Sequence, residues 1–337
     1  MNLRMGIIGG GSIARVHLEA YAAMDNVRLL GLADPNEQIL SDVYRSGKIE
    51  RVTSDYRELI NEPNIDVVDI CVPHHLHHKI TLDALKAGKH VILEKPIALT
   101  IEEADEMIEV AEKLNRRLFV SLNQRFLPAH ITAKQLLDAK KIGKPFLAVA
   151  VCIGDEFERM NDPNSWKGTW EQGGGGVLAD TGTHFVDILQ YFFGPAKAVN
   201  ATTKRLVVSA KNKADDTSTV TLEFGNGVLG ELVLTYSATA NQWAESKDIY
   251  GTAGSLHISG DPASPLKVVY NRGLPRHVEV GSSSSWQNFS IRKALEHFVD
   301  CILYGRSSLV TACDARETLK TVLSAYQAAR EGRRIQL

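Results

Sequence analysis

The chain has 337 residues, and at roughly 150 residues per domain this length predicts about two domains. Hydrophobic residues make up 44 % of the chain and charged residues 23 %, as in ordinary globular proteins. The 38 Lys and Arg residues nearly balance the 40 Asp and Glu residues, which leaves a formal net charge of −2. This balance argues against a protein that binds nucleic acid and against a polybasic membrane anchor.

The cysteines and the apolar segments indicate a cytoplasmic protein. The N-terminal sequence MNLRMGIIGGG lacks the apolar segment of a secretory signal, and apolar stretches stay short of the ~20 residues that span a bilayer. Cys71, Cys152, Cys301 and Cys313 form no C-x-x-C pair. We therefore expect reduced structural thiols and no membrane partner.

The first third of the chain alternates between apolar runs and helix-type periodicity, which predicts βαβ units and a doubly wound parallel sheet. The predicted strands are Met5–Gly9, Val27–Ala33, Asp66–Val72, His90–Leu93 and Leu118–Ser121. The predicted helices are Ile13–Met24, Leu76–Ala87 and Thr100–Leu114, the last with Thr100 and Glu103 as a capping box.

The remainder predicts an α+β domain with a large, mostly antiparallel open sheet. The predicted helices are Ala129–Ala139, Leu178–Tyr191, Ile291–Leu303 and Cys313–Glu331. The predicted strands are Phe146–Ile153, Ala198–Val208, Ser218–Phe224, Val228–Ser237, Lys247–Tyr250, Ser255–Ile258 and Lys267–Tyr270. We expect a first domain over 1–122 and a second over 123–337, whose C-terminal helices could pack on the first. Gly281–Ser285 is expected to be a surface loop.

A glycine-rich turn follows the first predicted strand. Residues Gly9 to Ala14 fit the pattern G-x-G-x-x-A, in which Gly9 permits a tight turn, Gly11 lets a pyrophosphate approach the backbone and Ala14 permits close packing. The helix N-terminus at Ser12 and Ile13 offers free N–H groups to phosphate. Asp34, at the end of the second strand, suits ribose hydroxyls and repels a 2′-phosphate. The turn predicts NAD rather than NADP as cofactor; the alternative is a glycine turn that binds nothing.

Two further motifs carry reactive side chains. Lys95, in Glu94-Lys95-Pro96 at a strand end, could bind a hydroxyl oxygen or pass a proton; the alternative is a simple turn residue. Asp180 and His184 are four apart on a predicted helix and therefore share a face, with Asp187 nearby. A histidine beside a carboxylate can move protons near neutral pH, although a surface ion pair is the alternative.

Together these segments resemble the Gfo/Idh/MocA family of NAD(P)-dependent oxidoreductases. The resemblance covers nearly the whole chain and includes GIIGGGSIARVHLEAY, the P-x-x-x-H from Pro73 to His77, EKP, Ser165-Trp166-Lys167, GGGVLADTGTHFVD and YGTAGS. It implies a Rossmann domain, a second α/β domain, and a homodimer or homotetramer formed through the second-domain sheet. It also implies hydride transfer between the nicotinamide and a CH–OH carbon of a sugar or cyclitol.

The resemblance assigns residues to roles. The catalytic Lys, Asp and His map to Lys95, Asp180 and His184, with either Lys95 or His184 as the formal base. The cofactor-binding residues are Gly9, Gly11, Ser12, Ile13, Ala14, Asp34, Pro73, His77, Glu94 and Lys95. Thr181 matches the inositol dehydrogenase members of the family. Other candidates for substrate hydroxyls are Asn123, Arg125, Trp166, Lys167 and Tyr236.

Alternatives remain at this stage. A hydrolase or lyase of the same fold would hold and recycle NAD without releasing NADH, and a regulator would bind NAD without turnover. The turn with His74, His75, His77 and His78 could suggest a metal site, but neighbouring turn residues point in different directions, so we expect no metal.

Overall fold

The structure, a computed structural model, describes residues 2–162, 165–208, 214–239, 243–261, 263–271, 273–280 and 286–337. The predicted loop Gly281–Ser285 lies outside them. The chain divides into two compact units: Met1–Asn123 with Gln287–Arg316, and Gln124–Trp286 with Glu317–Leu337. Residues 287–316 thus group with the N-terminal unit, whereas the sequence-based division places all of 123–337 in the second domain. Within the described ranges, no helix is both long and apolar enough to cross a membrane.

The first unit is built on a parallel sheet with helices between its strands. Its strand order is β3-β2-β1-β4-β5-β6, and every neighbouring pair runs parallel, which confirms the predicted doubly wound sheet. In chain order, the elements are β1 (Leu3–Ile8), α1 (Ser12–Ala22), β2 (Val27–Ala33), α2 (Glu37–Arg45), β3 (Arg51–Thr53), α3 (Tyr56–Ile60), β4 (Val67–Ile70), α4 (His77–Lys86), β5 (His90–Leu93), α5 (Ile101–Lys113) and β6 (Leu118–Val120).

Burial and capping account for these elements. All four residues of β4 are buried, as expected for a central parallel strand covered on both faces. The Thr100 hydroxyl accepts a hydrogen bond from the N–H of Glu103 and caps α5. The Glu103 carboxylate closes the motif on the N–H of Leu99, one residue before the capping-box position.

The second unit carries most of the remaining elements. In chain order, they are α6 (Pro128–Asp138), β7 (Pro145–Gly154), α7 (Phe157–Asn161), α8 (Trp170–Gly173), α9 (Thr181–Phe193), β8 (Ala196–Lys204), β9 (Thr217–Phe224), β10 (Leu229–Thr235), β11 (Trp243–Gly251), β12 (Gly254–Ser259), β13 (Leu266–Tyr270), β14 (Arg276–His277), α10 (Trp286–Tyr304), α11 (Ala312–Glu331) and β15 (Ile335–Gln336). The N-terminal end of α11 and nearly all of α10 belong to the first unit.

The second-unit sheet has, over the described residues, the order β14-β13-β12-β11-β7-β10-β9-β8-β15. Its pairs are antiparallel except for the parallel pair of β7 and β10, which confirms the mostly antiparallel sheet. Alternate residues of β7, such as Ala148, Ala150 and Cys152, are buried in one core with Phe185 and Ile188 of α9. One face of the sheet therefore supports α9, the helix that follows the four glycines.

Residues 287–316 pack within the first unit through specific contacts. The ring of Phe298 on α10 stacks on that of Phe119 on β6, with centroids 4.9 Å apart. Asn123 Nδ2 donates to the hydroxyl of Ser290 at 2.7 Å. Arg316 binds the carboxylate of Asp105 on α5. Residues 287–316 thus complete the core beside β6.

Several predicted boundaries are wrong: β11 begins at Trp243 instead of Lys247, and α10 begins at Trp286 instead of Ile291. Two further boundaries differ for reasons that the local contacts show. The helix predicted from Leu178 begins at Thr181, because the chain at Asp180 has φ −88° and ψ −84° and stands as the N-cap. Asp180 therefore precedes the helix and does not share a helical face with His184. The strand predicted to reach Val208 ends at Lys204, since the N–H groups of 206–208 turn toward the carboxylate of Asp216.

Candidate functional site

The glycine turn leaves room for a ligand at the N-terminus of α1. Gly9 has φ +95°, and a Cβ there would lie 2.3 Å from the carbonyl oxygen of Cys71. A Cβ on Gly11 would meet no atom within 4 Å. Ala14 is fully buried, while Ser12 is exposed and Ile13 half-buried. The first glycine is thus required by the fold, whereas the space at Gly11 fits the pyrophosphate of a dinucleotide.

Asp34 is fixed at the end of β2. Its Oδ2 accepts a hydrogen bond from the N–H of Gly10 at 2.7 Å, and its Oδ1 accepts from the N–H of Asn36 at 2.8 Å. The side chain therefore ties the glycine turn to the strand end. Each oxygen keeps a second lone pair for another donor, such as a ribose hydroxyl.

His77 joins the two strand-end turns of the first unit. Its Nδ1 lies 2.7 Å from the carbonyl oxygen of Pro96, and its Nε2 lies 3.0 Å from that of Val72. Burial lowers the pKa of His77, so the neutral ring donates from one nitrogen. His77 therefore links the turn at Pro73 to the turn at Glu94-Lys95-Pro96.

The side chains around Lys95 are mostly buried, while Lys95 itself is half-buried. Glu94 is 8 % exposed, and its Oε2 accepts a hydrogen bond from the N–H of Lys95 at 3.2 Å. The turn follows β5, so Lys95 lies at the carboxyl edge of the parallel sheet. Doubly wound folds bind their ligands at this edge.

The other histidines of the turn after β4 have separate surroundings. His74 is buried and its ring lies 5.5 Å from that of His77, whereas His78 Nε2 lies 2.8 Å from a carboxylate oxygen of Glu106 on α5. Among the described residues, the one group of side chains close enough together to hold a metal contains none of these histidines.

In the second unit, a buried carboxylate holds the glycines that precede α9. Asp215 Oδ1 accepts from the N–H of Gly176 at 2.9 Å and from the hydroxyl of Tyr326 at 2.7 Å, and Oδ2 accepts from the N–H of Leu178 at 3.1 Å. A Cβ on Gly176 would lie 1.8 Å from the Asp215 carbonyl oxygen. The glycines are needed for this close approach, and they set the position of Asp180.

Asp180 is the centre of a polar cluster. Its Oδ2 accepts from Lys167 Nζ at 2.7 Å and from the Tyr236 hydroxyl at 2.8 Å. The Tyr236 oxygen also lies 2.5 Å from Thr181 Oγ1. Burial, together with the Asp180 charge, raises the pKa of Tyr236 well above its usual value, so the phenol stays protonated. Four predicted site residues, from three separate segments, thus come together.

The structure adds residues that the sequence reasoning missed, on β11 beside α9. Glu245 binds Trp243 Nε1 through Oε1 at 2.9 Å and Lys247 Nζ through Oε2 at 3.1 Å, and it interacts electrostatically with His184. Burial alone would raise the pKa of Glu245, but the Lys247 ammonium and these hydrogen bonds lower it to about 2. Lys247 Nζ lies 4.3 Å above the Phe185 ring. The alternate spacing of Trp243, Glu245 and Lys247 on one strand is the signal that could have revealed a shared face.

Other predicted candidates have protein partners. Arg125 is 5 % exposed and binds Asp187 with its guanidinium at 2.6 Å and 3.0 Å, so Asp187 does not accompany Asp180 as the sequence suggested. The amide of Asn123 donates to Ser290. Trp166 is half-buried, and its carbonyl oxygen accepts from the Thr169 hydroxyl. The side chains of Asn123 and Arg125, which were predicted to bind substrate, thus make buried contacts with other protein side chains.

These features match a class of two-domain oxidoreductases. Residues 3–122 match the family described as an oxidoreductase family with an NAD-binding Rossmann fold, and residues 130–257 match the GFO/IDH/MocA C-terminal domain. The chain therefore belongs to the Gfo/Idh/MocA oxidoreductase family, as its motifs predicted.

Known relatives act on sugars and cyclitols. The levoglucosan dehydrogenase of Pseudarthrobacter phenanthrenivorans is 31 % identical over 80 % of this chain and 76 % of its own length. The myo-inositol 2-dehydrogenase of Thermotoga maritima is 30 % identical over 75 % of this chain and 74 % of its own. A levoglucosan dehydrogenase solved with NADH and levoglucosan matches with a TM-score of 0.91 and 27 % identity, covering 100 % of this chain and 99 % of that one.

Proposed function

We propose that the protein is an NAD-dependent dehydrogenase that oxidises a secondary hydroxyl of a sugar or cyclitol, or reduces the corresponding carbonyl. The Asp180 cluster is the observation that carries the proposal, since the fold brings a carboxylate, an ammonium and a protonated phenol together at the head of the helix that bears His184. The similar levoglucosan and inositol dehydrogenases support a neutral polyol as substrate.

The residues of the first unit fit NAD. Gly11 and the N-terminus of α1 would hold the pyrophosphate, and Asp34 would accept hydrogen bonds from the adenosine ribose. Because two backbone N–H groups anchor its carboxylate, Asp34 would also oppose the 2′-phosphate of NADP. The bound cofactor supplies the hydride acceptor, and the protein supplies position and charge.

Lys95 and His184 are assigned the proton and charge chemistry. The Lys95 ammonium would bind the reacting oxygen and stabilise the negative charge that develops on it. The His184 imidazole would accept the hydroxyl proton. Asp180 acts as a fixed anion, because Lys167 and Tyr236 both donate to it and Tyr236 remains protonated. Thr181 holds the phenol oxygen in place at the head of α9.

Oligomerisation through the second-unit sheet is part of the proposal. Leu147, Val151, Leu229 and Val233 are paired in register on β7 and β10 and share the sheet face opposite the buried one. Val233 is 40 % exposed and Leu229 47 %. Val149 and Glu231 lie between these two pairs on the same face, and Glu231 accepts a hydrogen bond from Thr221. This largely apolar face of an open sheet suits the same face of a second copy. A cytoplasmic location, inferred from the cysteines, stays a prediction.

The test is a substrate panel with both nicotinamide cofactors. Inositols, aldoses, anhydrosugars and nucleotide-sugars are incubated with NAD⁺ or NADP⁺ while reduced nicotinamide is measured. We expect NADH to form in proportion to product, with a strong preference for NAD⁺ over NADP⁺. A product formed without NADH would instead indicate the hydrolase or lyase that recycles its cofactor. A preference for NADP⁺ would overturn the role given to Asp34.

A further inference from the structure

A buried histidine lies between two carboxylates in the first unit. His17, on α1, has its Nδ1 2.7 Å from Oδ2 of Asp69 on β4 and its Nε2 3.2 Å from Oε1 of Glu94, which follows β5. The side chains of His17 and Asp69 are fully buried, and that of Glu94 is 10 % exposed. The contact with Asp69 is a hydrogen bond, whereas the one with Glu94 has an ion-pair distance without hydrogen-bond alignment.

The surroundings of His17 favour its charged form. Burial alone would lower the pKa of His17, but its hydrogen-bond partners Cys71 and Asp69 raise it well above the usual range, and of these two Asp69 carries the negative charge. Burial and Asp69 raise the pKa of the Cys71 thiol to about 12, so Cys71 stays neutral. The ring of Tyr21, one turn further along α1, packs edge-on against the imidazole at 6.4 Å. An imidazolium between Asp69 and Glu94 gives each carboxylate an oppositely charged neighbour, although the group as a whole keeps one negative charge.

The two carboxylates lie next to the two turns of this unit that the proposed function uses, the glycine turn and the Lys95 turn. Glu94 accepts the N–H of Lys95 through its other oxygen, Oε2. Asp69 lies two residues before Cys71, whose carbonyl oxygen would collide with any side chain at Gly9. His17 itself lies on the helix whose N-terminus follows the glycine turn. The imidazole also lies 3.5 Å from the Cys71 Sγ through its Nδ1. It is therefore connected to the Lys95 turn through Glu94 and to the glycine turn through Cys71.

We propose that His17 is a positioning residue that bridges Asp69 and Glu94 and so fixes the Lys95 turn relative to the helix that binds the dinucleotide. This inference rests on the proposed function, because it assumes that α1 receives the pyrophosphate and that Lys95 acts on the substrate. The side chain of His17 is fully buried, so the role assigned to it is indirect. It places a positive charge 3.2 Å from Glu94, which favours the carboxylate that accepts the Lys95 N–H.

The test replaces His17→Gln, which keeps a hydrogen-bonding side chain but removes the positive charge. Glu94 then faces a neutral amide in a buried site, so it takes up a proton at higher pH than in the wild type. We expect kcat to fall about 10-fold or more and the acidic limb of the pH–rate profile to move to higher pH. The variant His17→Gln/Glu94→Gln should lose that additional pH dependence, because no ionisable group remains at the position.

A matched control separates positioning from stability. Lys89 is a buried cation of the same unit whose Nζ donates to the carbonyl oxygens of Glu62 and Ile65. Lys89→Met removes a buried charge without touching Glu94, so it should lower the melting temperature and leave the pH–rate profile in place. If both variants lower the melting temperature and leave kcat and the profile unchanged, His17 is only structural and the inference is wrong. Asp69→Asn, which retains the imidazole, replaces His17→Gln if that variant does not fold.

Measuring NADH binding tests the role of His17 separately from the proposed function. Quenching of protein fluorescence by NADH needs no substrate, and we expect its pH dependence to move in His17→Gln but not in Lys89→Met. If the wild type oxidises no polyol, the proposed function fails while this measurement still tests the bridge. A stoichiometric metal ion in the purified wild type would overturn the bridge, since His17, Asp69 and Cys71 would then be its ligands instead of one another's partners.

Discussion

Tyr236 donates a hydrogen bond to Asp180 across 56 positions of sequence, at 2.8 Å. Tyr236 extends from the end of β10 and Asp180 precedes α9, so the bond joins the sheet to the head of the helix that carries His184. Tyr236→Phe removes this donor, while Lys167 still donates to the same oxygen. A hydrogen bond to a charged group is worth about 1.5–3 kcal/mol, so we expect kcat/KM to fall by about 10-fold or more.

The control for this variant is Tyr44→Phe, since Tyr44 is 57 % exposed. It should leave both activity and stability as they are. Steady-state kinetics with the best substrate of the panel gives the answer. Equal activity of Tyr236→Phe and the wild type would show that the phenol does not support Asp180 in the reaction.

The two outer glycines of the turn should respond differently to alanine. At Gly11 an added methyl group meets no protein atom, so Gly11→Ala should fold with an unchanged melting temperature but bind NADH at least about 10-fold more weakly, because the methyl group occupies the space of the pyrophosphate. At Gly9 the φ of +95° and the Cys71 carbonyl oxygen exclude a side chain, so Gly9→Ala should lower stability by about 1–3 kcal/mol.

Thermal unfolding and fluorescence titration with NADH distinguish the two variants. If Gly11→Ala binds NADH with normal affinity, the pyrophosphate does not bind at this turn. A normal melting temperature in Gly9→Ala would contradict the close contact with Cys71.

Most strands and helices of the first unit could be predicted from sequence, because each is marked by residues next to it in the chain. Apolar runs between glycine and capping signals marked five of its six strands, and the turn at Gly9 to Ala14 identified the cofactor. The elements missed there, α2, β3 and α3, are short or follow polar segments, so their periodicity is weak. The position of Asp34 at the end of β2 followed from the same local pattern.

The second-unit site depended on contacts that no local pattern contains. Asp180 was predicted inside a helix, but four glycines held by Asp215 let the chain turn before α9 begins. Lys167 was expected to bind substrate, and its contact with Asp180 depends on how the segment before α8 returns to that turn. Glu245 was missed because the predicted strand began only at Lys247, whereas β11 begins at Trp243, and because strand periodicity does not show what a face meets.

Stability should fall with acid because His130 is buried in its neutral form. Burial lowers the pKa of His130 to about 3, below the ordinary 6.5 of an unfolded histidine, and Nδ1 lies 2.7 Å from the carbonyl oxygen of Gln124. The unfolded chain therefore binds a proton that the folded chain does not, and the stability is lost as the pH falls from 6.5 toward 3. This histidine alone should remove about 1 kcal/mol between pH 7 and 5.5.

Denaturant unfolding at the two pH values checks this prediction in the wild type and in His130→Gln, which keeps a donor for the Gln124 carbonyl oxygen. The difference between pH 7 and 5.5 should be smaller in His130→Gln. His277→Gln, at an exposed position, serves as control. An identical pH dependence in His130→Gln and the wild type would show that His130 does not cause the loss.

If the open sheet face joins two copies of the chain, a charged side chain placed on it should dissociate the oligomer. Val233 is 40 % exposed on β10 and pairs in register with Val151 on β7. Val233→Glu would place a carboxylate in an apolar interface at a cost of several kcal/mol, so we expect the oligomer to dissociate. Leu274→Glu is the control, because Leu274 is 86 % exposed on another part of the unit.

Light scattering after size-exclusion chromatography gives the molecular mass of each variant. The expected result is an oligomeric wild type and Leu274→Glu, and a smaller species for Val233→Glu. A wild type that is monomeric, or a Val233→Glu oligomer of unchanged mass, would contradict the assignment of this face.

The proposed reaction requires both Lys95 and His184 for hydride transfer to NAD⁺. The direct measurement is the rate of NADH formation by the wild type, Lys95→Met and His184→Ala with the best polyol of the panel, together with the NADH affinity of each variant and of the exposed control His277→Ala. We expect a loss of about 100-fold or more in kcat for each of the two site variants, with NADH affinity retained and the control unchanged. Near-normal turnover in both site variants would contradict it.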